Sequence, residues 1–369
     1  MKIIYTTDFE KEIWSLLGLF ESIKYVMEII TVRFPSMDES EIKSRATHIG
    51  YCVRQAREYF SSAKTVSLLT SPLLLSYGML NLAKSLVIMR LPEEVDFKRL
   101  FAKHGVSVDF SVLDDSVLNT KIDFQNYGVY PSLAKVLNEP SYSGNSVLLD
   151  QLLSQIPDLR DIYSLVYKKS PNVLPVKAID YGYCPEEYEV LEEVFTDEFV
   201  EKLSTSLEIL GDKGHCIDSF GRGFSIRKTL AAQKTLQELG LLIKAISGKE
   251  YLRVIPVLDE TPLFLGDITL NYLVVFCYGM LARYQAINWG QYTDPNVSLE
   301  AEVIGRSLQI CRHRFLHAII NALFDREFEF RYFLPQEKNK EELIDFIYDD
   351  LVRRLKEDAV RERSRCGLI

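Results

Sequence analysis

Apolar and polar positions alternate along the chain as a long helical block, a mixed block and a second helical block. Residues 8–34 carry large apolar side chains throughout (Trp14, Leu17, Phe20, Tyr25), which predicts one helix ended by Pro35. Ser36-Met37-Asp38-Glu39 then has the form of a capping box, with Ser36 and Glu39 placed to satisfy each other's amides. Behind it Ile42, Ala46, Ile49, Val53, Ala56 and Phe60 recur at spacings of 4, 3, 4, 3 and 4, a single helical stripe facing a core. Lys43, Arg45, Arg54 and Arg57 fall on its other face.

Ser71-Pro72 is the next start signal, serine as N-cap and proline at the first helical position. This helix runs to Arg90, stops before Pro92, and is apolar nearly all round, so it belongs at the centre of a bundle. Gly78 in its middle costs roughly 1 kcal/mol relative to alanine, a cost that the close approach of a neighbouring helix offsets. The string Tyr-Gly-Met-Leu at 77–80 returns at 278–281. No wider repeat accompanies it, so the repetition reads as chance. The shared context remains informative: both glycines sit mid-helix and mark helix crossings.

From about 105 to 270 turn signals cluster (Asn126-Tyr-Gly, Ser143-Gly-Asn, Gly211-Asp-Lys-Gly, Gly221-Arg-Gly). Strand-like runs appear at 172–183, 219–226 and 250–258. Between them, PEEYEVLEEVFTDEFVEKLSTSLEIL reads as one or two helices and KTLAAQKTLQELGLLIKAI as another. Helical character returns where Asp267 caps ITLNYLVVFCYGMLARYQAI, then in a helix from about 299 to 325 opened by Ser298, and in a last amphipathic helix over 340–362. The predicted fold is mainly α: a helical bundle of residues 1–104 and 266–369 with a mixed α/β insertion at 105–265. Sparse contact with the bundle makes that insertion the expected protease-sensitive part.

Composition narrows the function classes. The 369 residues, 47% hydrophobic and 26% charged, are those of a globular protein. With 52 acidic against 43 basic side chains the net charge is −9, which argues against a whole-protein grip on nucleic acid and leaves only a local basic patch for RNA. Cysteines 52, 184, 216, 277, 311 and 366 form no C-x-x-C pair, and several lie in apolar helical runs, which suits a reducing cytoplasm. Asp8, Glu10 and Glu12 come too early for a signal peptide, and Asn81, Lys84 and Ser85 interrupt the most membrane-like stretch, so no membrane association is expected.

Two blocks carry a resemblance. REYFSSAKTVSLLTSPLLLSYGMLNLAKSLVI (57–88) and YLVVFCYGMLARYQAINWG (272–290) resemble the YaaC-like bacterial proteins through Tyr77, Gly78, Asn81, Leu82 and Lys84, then Arg283, Tyr284 and Trp289. That resemblance implies a cytoplasmic bacterial protein and little about function. The same blocks are more distantly similar to the HEPN superfamily, helical bundles of which many act as metal-independent ribonucleases in toxin–antitoxin and phage-defence systems. It implies a site of arginine, four to six residues, then histidine, completed by a second protomer.

The helix at 299–325 holds that spacing twice: Arg306 with His313, and Arg312 with His317. Histidine near neutrality can take the ribose 2′-hydroxyl proton while arginine holds the phosphate, without metal. His313 and His317 share a helical face; Arg312 and His317, five apart, diverge. A basic helical turn is more often a solvated face or partner contact. His313-Arg-Phe-Leu-His317 lacks the glutamate of a zinc-protease motif and a third ligand, so no metal is expected. Gly221-Arg-Gly-Phe-Ser-Ile-Arg-Lys-Thr lacks phosphate-loop spacing, so no cofactor is expected, and Cys366-Gly-Leu-Ile is a poor prenylation box.

Two readings follow. One is a non-catalytic helical subunit, a sensor or scaffold in a bacterial assembly with protein partners or a second copy; its hallmark would be an exposed aromatic patch, and FDREFEFRYFLP (324–335) is the candidate through Phe328, Phe330, Tyr332 and Phe333. The other is a HEPN-like ribonuclease acting through Arg312 and His317 with help from Arg306 and His313.

Overall fold

The computed structural model describes residues 2–332 apart from 92–95, 112, 114–115, 180–186, 191–196, 212–213, 221–222, 230–233 and 259–260. The expected helix at 340–362, Phe333, Cys184 and Cys366 lie outside the described residues. The helices are α1 (Phe9–Leu17), α2 (Ile23–Arg33), α3 (Glu39–Ala63), α4 (Ser71–Arg90), α5 (Phe97–Phe101), α6 (Val129–Val136), α7 (Leu149–Leu153), α8 (Arg160–Tyr167), α9 (Asp197–Ile209), α10 (Asp267–Tyr284), α11 (Ala286–Thr293) and α12 (Glu300–Phe324).

The chain forms two units. In the small one, strand Lys2–Thr6 pairs in parallel with strand Phe328–Tyr332, and Phe9 packs edge-on against Phe330 at 4.9 Å. Phe328 is buried and Phe330 half-buried, which corrects the expectation of an exposed aromatic patch at these two residues.

The large unit, Glu10–Glu327, is mainly helical. Its centre is the α4/α10 pair. Every residue of the predicted stripe on α3, from Ile42 to Phe60, is buried. Both glycines mark crossings, as their mid-helix setting predicts. A Cβ on Gly78 would stand 2.6 Å from the Phe60 ring of α3, and one on Gly279 would stand 2.9 Å from Ser76 Cβ of α4. Since α4 is mostly buried, its apolar length is that of a core helix, although it is long and apolar enough to cross a membrane.

Several local readings need correction. The stretch 8–34 is two helices, α1 and α2, joined by a 3₁₀ turn at Gly18–Glu21. At Gly18 the chain passes so close to α3 that a Cβ would lie 2.9 Å from Arg57 Nη2. Asp38 rather than Ser36 caps α3, accepting from Ser40 N at 2.9 Å. Arg45, expected on the polar face, is fully buried; it donates to the Ile88 and Leu91 carbonyls at the end of α4 and pairs with Glu41 at 2.7 Å. A cation there satisfies carbonyls that α4 leaves unpaired.

Strands in the large unit lie between Val106 and Pro262. The largest sheet runs His215–Phe220, Gly223–Lys228, Glu187–Val190, Val173–Ala178, Glu250–Arg253, Leu242–Lys244, all neighbours antiparallel. Glu187–Val190 and Leu242–Lys244 were expected in helices. Alternation in Glu-Tyr-Glu-Val and pairing with distant strands decide otherwise. A three-stranded sheet of Val106–Asp109, Lys121–Phe124 and Ser146–Leu148 precedes it. From the same region α6, α7 and α8 lie against α4, α10 and α12 respectively.

Candidate functional site

α12 carries all four residues of the predicted site. Its first turn is fixed by Ser298, whose hydroxyl accepts from Glu300 N at 3.1 Å, and its apolar stripe (Val303, Ser307, Leu308, Cys311, Phe315, Ile319) is buried. That stripe rotates Arg306 to the surface and leaves Arg312, His313 and His317 half-buried, with the two histidines on one face and Arg312 turned away from His317.

Arg312 meets Glu10 of α1 in an ion pair. The same carboxylate oxygen accepts from Lys64 Nζ at 3.0 Å and from Trp14 Nε1 at 3.2 Å. Glu10 thus ties α12 to the end of α3 through two cations. His313 lies within electrostatic reach of Glu10, Arg314 and His317; burial chiefly, then the nearby His317 and Arg314, pushes it down to about 4. His317 follows one turn later. The structure therefore gathers Arg312 and His313 around Glu10, places His317 beside His313, and leaves Arg306 apart.

Chemically this is a guarded arrangement. Two hydrogen-bonding cations already offset Glu10, so the Arg312 charge is committed inside the protein rather than offered to a phosphate. A ring as weakly basic as His313 takes a proton with little driving force at neutral pH. Among the described residues no group of three metal-ligating side chains forms.

Arg314, its neighbour, was not anticipated. It is buried, donating to Asp158 Oδ2 at 3.1 Å, Asp267 Oδ1 at 2.8 Å and the Lys244 carbonyl at 2.7 Å. One side chain thereby links α12, the turn before α8, the edge of the large sheet and the start of α10. Its position, three after Cys311 and four after Ile310, lies on the apolar stripe and was the available signal.

The two sequence blocks singled out above meet in space. Arg283 Nη1 donates to Tyr77 Oη at 2.7 Å, joining the end of α10 to α4. Trp289 of α11 packs against Tyr278 at 5.5 Å, and the Tyr278 hydroxyl lies 3.1 Å from Ser307 Oγ of α12. Comparison with curated proteins and with solved structures yields no match. Residues 19–323, which contain both blocks and all four residues of the predicted site on α12, match the profile of the family described as YaaC-like Protein, and the chain belongs to that family.

Proposed function

We propose that the protein is a non-catalytic helical subunit, a sensor or scaffold within a bacterial cytoplasmic multi-protein assembly, with anti-phage defence as its setting. The observation that carries this reading is an exposed, mainly apolar depression of about 540 Å³ lined by Leu69, Ala286, Ile287, Gly290, Pro295 and Val297, with Gln291, Thr293 and Asp294 also in its wall. Leu69, Ile287 and Val297 are 54%, 79% and 66% exposed, a grouping of aliphatic side chains that a solvated surface disfavours and a protein partner covers. The ion-paired state of Arg312 gives further support.

A second reading, a HEPN-like metal-independent ribonuclease, draws on Arg312 and His313 both reaching Glu10 and on His317 standing one turn beyond His313 on α12. The test joins two measurements. Affinity purification from the native host with wild type beside Ile287→Asp/Val297→Asp should recover a stoichiometric partner that the variant loses. Purified wild type and His317→Ala should both leave RNA uncut. Cleavage by wild type that His317→Ala abolishes would overturn the first reading in favour of the second.

A further inference from the structure

The largest sheet has two edges, and the chain treats them differently. At Leu242–Lys244 the outward groups are already bonded. Arg314 donates to the Lys244 carbonyl at 2.7 Å, and just beyond the strand Ile246 N donates to Asp158 Oδ1 at 2.8 Å. The opposite edge is the six-residue strand His215–Phe220, and among the described residues no strand pairs with its outer side.

Backbone direction along that strand follows from its register. Thr229 N donates to the Gly214 carbonyl at 2.7 Å, so that facing pair is hydrogen-bonded. The register continues without a break through Cys216 opposite Arg227 and Asp218 opposite Ser225. Bonded and non-bonded pairs alternate in an antiparallel ladder, so Cys216 and Asp218 direct their N–H and C=O groups at the neighbouring strand. Those of Ile217 and Ser219 point away from the sheet.

Proteins usually blunt such an edge with lysine, proline, a bulge or a covering element. His-Cys-Ile-Asp-Ser-Phe contains neither lysine nor proline, and its pairing shows no bulge. Its one carboxylate, Asp218, is held by Arg227 of the adjacent strand at 3.3 Å. Ile217 lies at the rim of the apolar core that Phe199, Leu203 and Leu207 of α9 build on the sheet, and it is only half-buried there.

We propose that this edge is a homodimer interface, in which His215–Phe220 pairs antiparallel with the same strand of a second copy, Ile217 facing Ile217. A two-fold axis across such a pair sets one residue opposite itself. Asp218 cannot take that place, because its backbone groups face inward; Ile217 is the most central residue whose groups face outward. In this register each half-buried Ile217 covers the other, and the two apolar cores meet. Cys216 faces Asp218 of the second copy, so no like charges stand directly opposite. On the exposed face the order across the strands becomes Arg227, Cys216, then Asp218 of the second copy. That carboxylate lies two strand spacings from Arg227, roughly 10 Å at the backbone, across the small Cys216 side chain. Opposite charges therefore flank the axis on both sides, which favours a second copy over an unrelated strand. The edge shares no residue with the apolar depression and does not depend on the partner reading.

Sedimentation velocity of the full chain in reducing buffer, over a range of concentrations, should show a reversible dimer. Cys216→Asp sets carboxylate against carboxylate at both symmetry-related pairs and should raise the dimer dissociation constant roughly tenfold or more. Adding Asp218→Cys exchanges the two residues, returns a thiol opposite each carboxylate, and should restore the dimer. Asp218→Cys alone brings its thiol opposite Cys216 at a non-bonded pair, where Cα atoms lie about 4.5 Å apart, a separation a disulfide spans. Oxidation with copper phenanthroline should then give a covalent dimer whose peptide map joins positions 216 and 218. Wild-type thiols at 216, two residues out of register with each other, should not join. Cys216 and Asp218 are both exposed, so the variants keep the fold, which circular dichroism verifies. A wild-type monomer at every concentration, a dimer undiminished by Cys216→Asp, or absence of the 216–218 link would each overturn the proposal.

Discussion

Gly279 of α10 lies against Ser76 of α4 so closely that any Cβ would come within 2.9 Å of the Ser76 Cβ. Gly78 of α4 makes the equivalent approach to Phe60 of α3, so the central helix is gripped from both sides by contacts only glycine permits. Alanine at Gly78 gains about 1 kcal/mol of helix propensity yet must displace a fully buried aromatic ring, and overpacking of that kind costs about 1–3 kcal/mol. Gly78→Ala is therefore expected to lower stability. At Gly279→Ala the obstacle is a small side chain, so adding Ser76→Gly should recover part of the loss. Urea melts of the three proteins check this, and an unchanged or raised midpoint for Gly78→Ala would show that the crossing has slack.

Arg314 carries the second prediction. Removing the cation strands Asp158, itself largely buried, and takes three donated bonds from three neighbouring elements. Arg314→Met should destabilise by about 3–5 kcal/mol, the range for breaking one side of a buried ion pair. Asp158→Asn added to it should return a measurable fraction, because the uncompensated charge goes. Equal midpoints for wild type and Arg314→Met would mean that the pairs contribute nothing.

What the sequence revealed follows from the range of the interactions. The α3 stripe, both α4 ends and both glycine crossings depend on neighbours within one helix and on the core each faces, and these were legible. Arg45 was misplaced because periodicity sees its Cα at the edge of the stripe, whereas its long guanidinium reaches across to carbonyls of α4. Leu242–Lys244 looked helical until its partner Glu250–Arg253 is known, and Gly240, at φ +72°, is the turn that separates the strand from the preceding residues. The four residues of the predicted site were correctly placed on one helix. Their partners were invisible: Glu10 precedes Arg312 by about three hundred residues, and no local pattern joins them.

Glu139 supplies a pH dependence. Its carboxylate sits at the start of α10, accepting from Gly266 N at 3.1 Å and from Thr269 Oγ1 at 2.6 Å, and burial raises it to about 7 despite those bonds. Because the folded value exceeds the ordinary 4.5, the protonated form is favoured in the fold. The stability this contributes is complete below pH 4.5 and is lost as pH rises through about 7, a difference of ~3 kcal/mol. Glu139→Gln keeps an acceptor for Gly266 and removes the titration. Relative to wild type, the variant should therefore gain stability steadily from pH 5 to pH 7.5; parallel stability curves would refute the buried-carboxylate account.

His313 behaves in the opposite sense. Burial first, then the nearby His317 and Arg314, depress it from 6.5 to about 4, so the folded state favours the neutral ring. The resulting stability is present above pH 6.5 and is lost as pH falls through about 4. Because the ring is only half-buried, solvent screening reduces the effect to about 1–2 kcal/mol. Replacement by glutamine, which cannot charge, should lessen the acid destabilisation of the protein across that window while leaving its stability at pH 8 nearly unchanged. Ring-nitrogen NMR offers the direct check: a neutral His313 signal at pH 5.5 is expected. A charged imidazolium there would mean that Glu10 outweighs burial, and the same result would restore His313 as a proton-exchanging group near neutral pH, the property a ribonuclease on this helix flank requires.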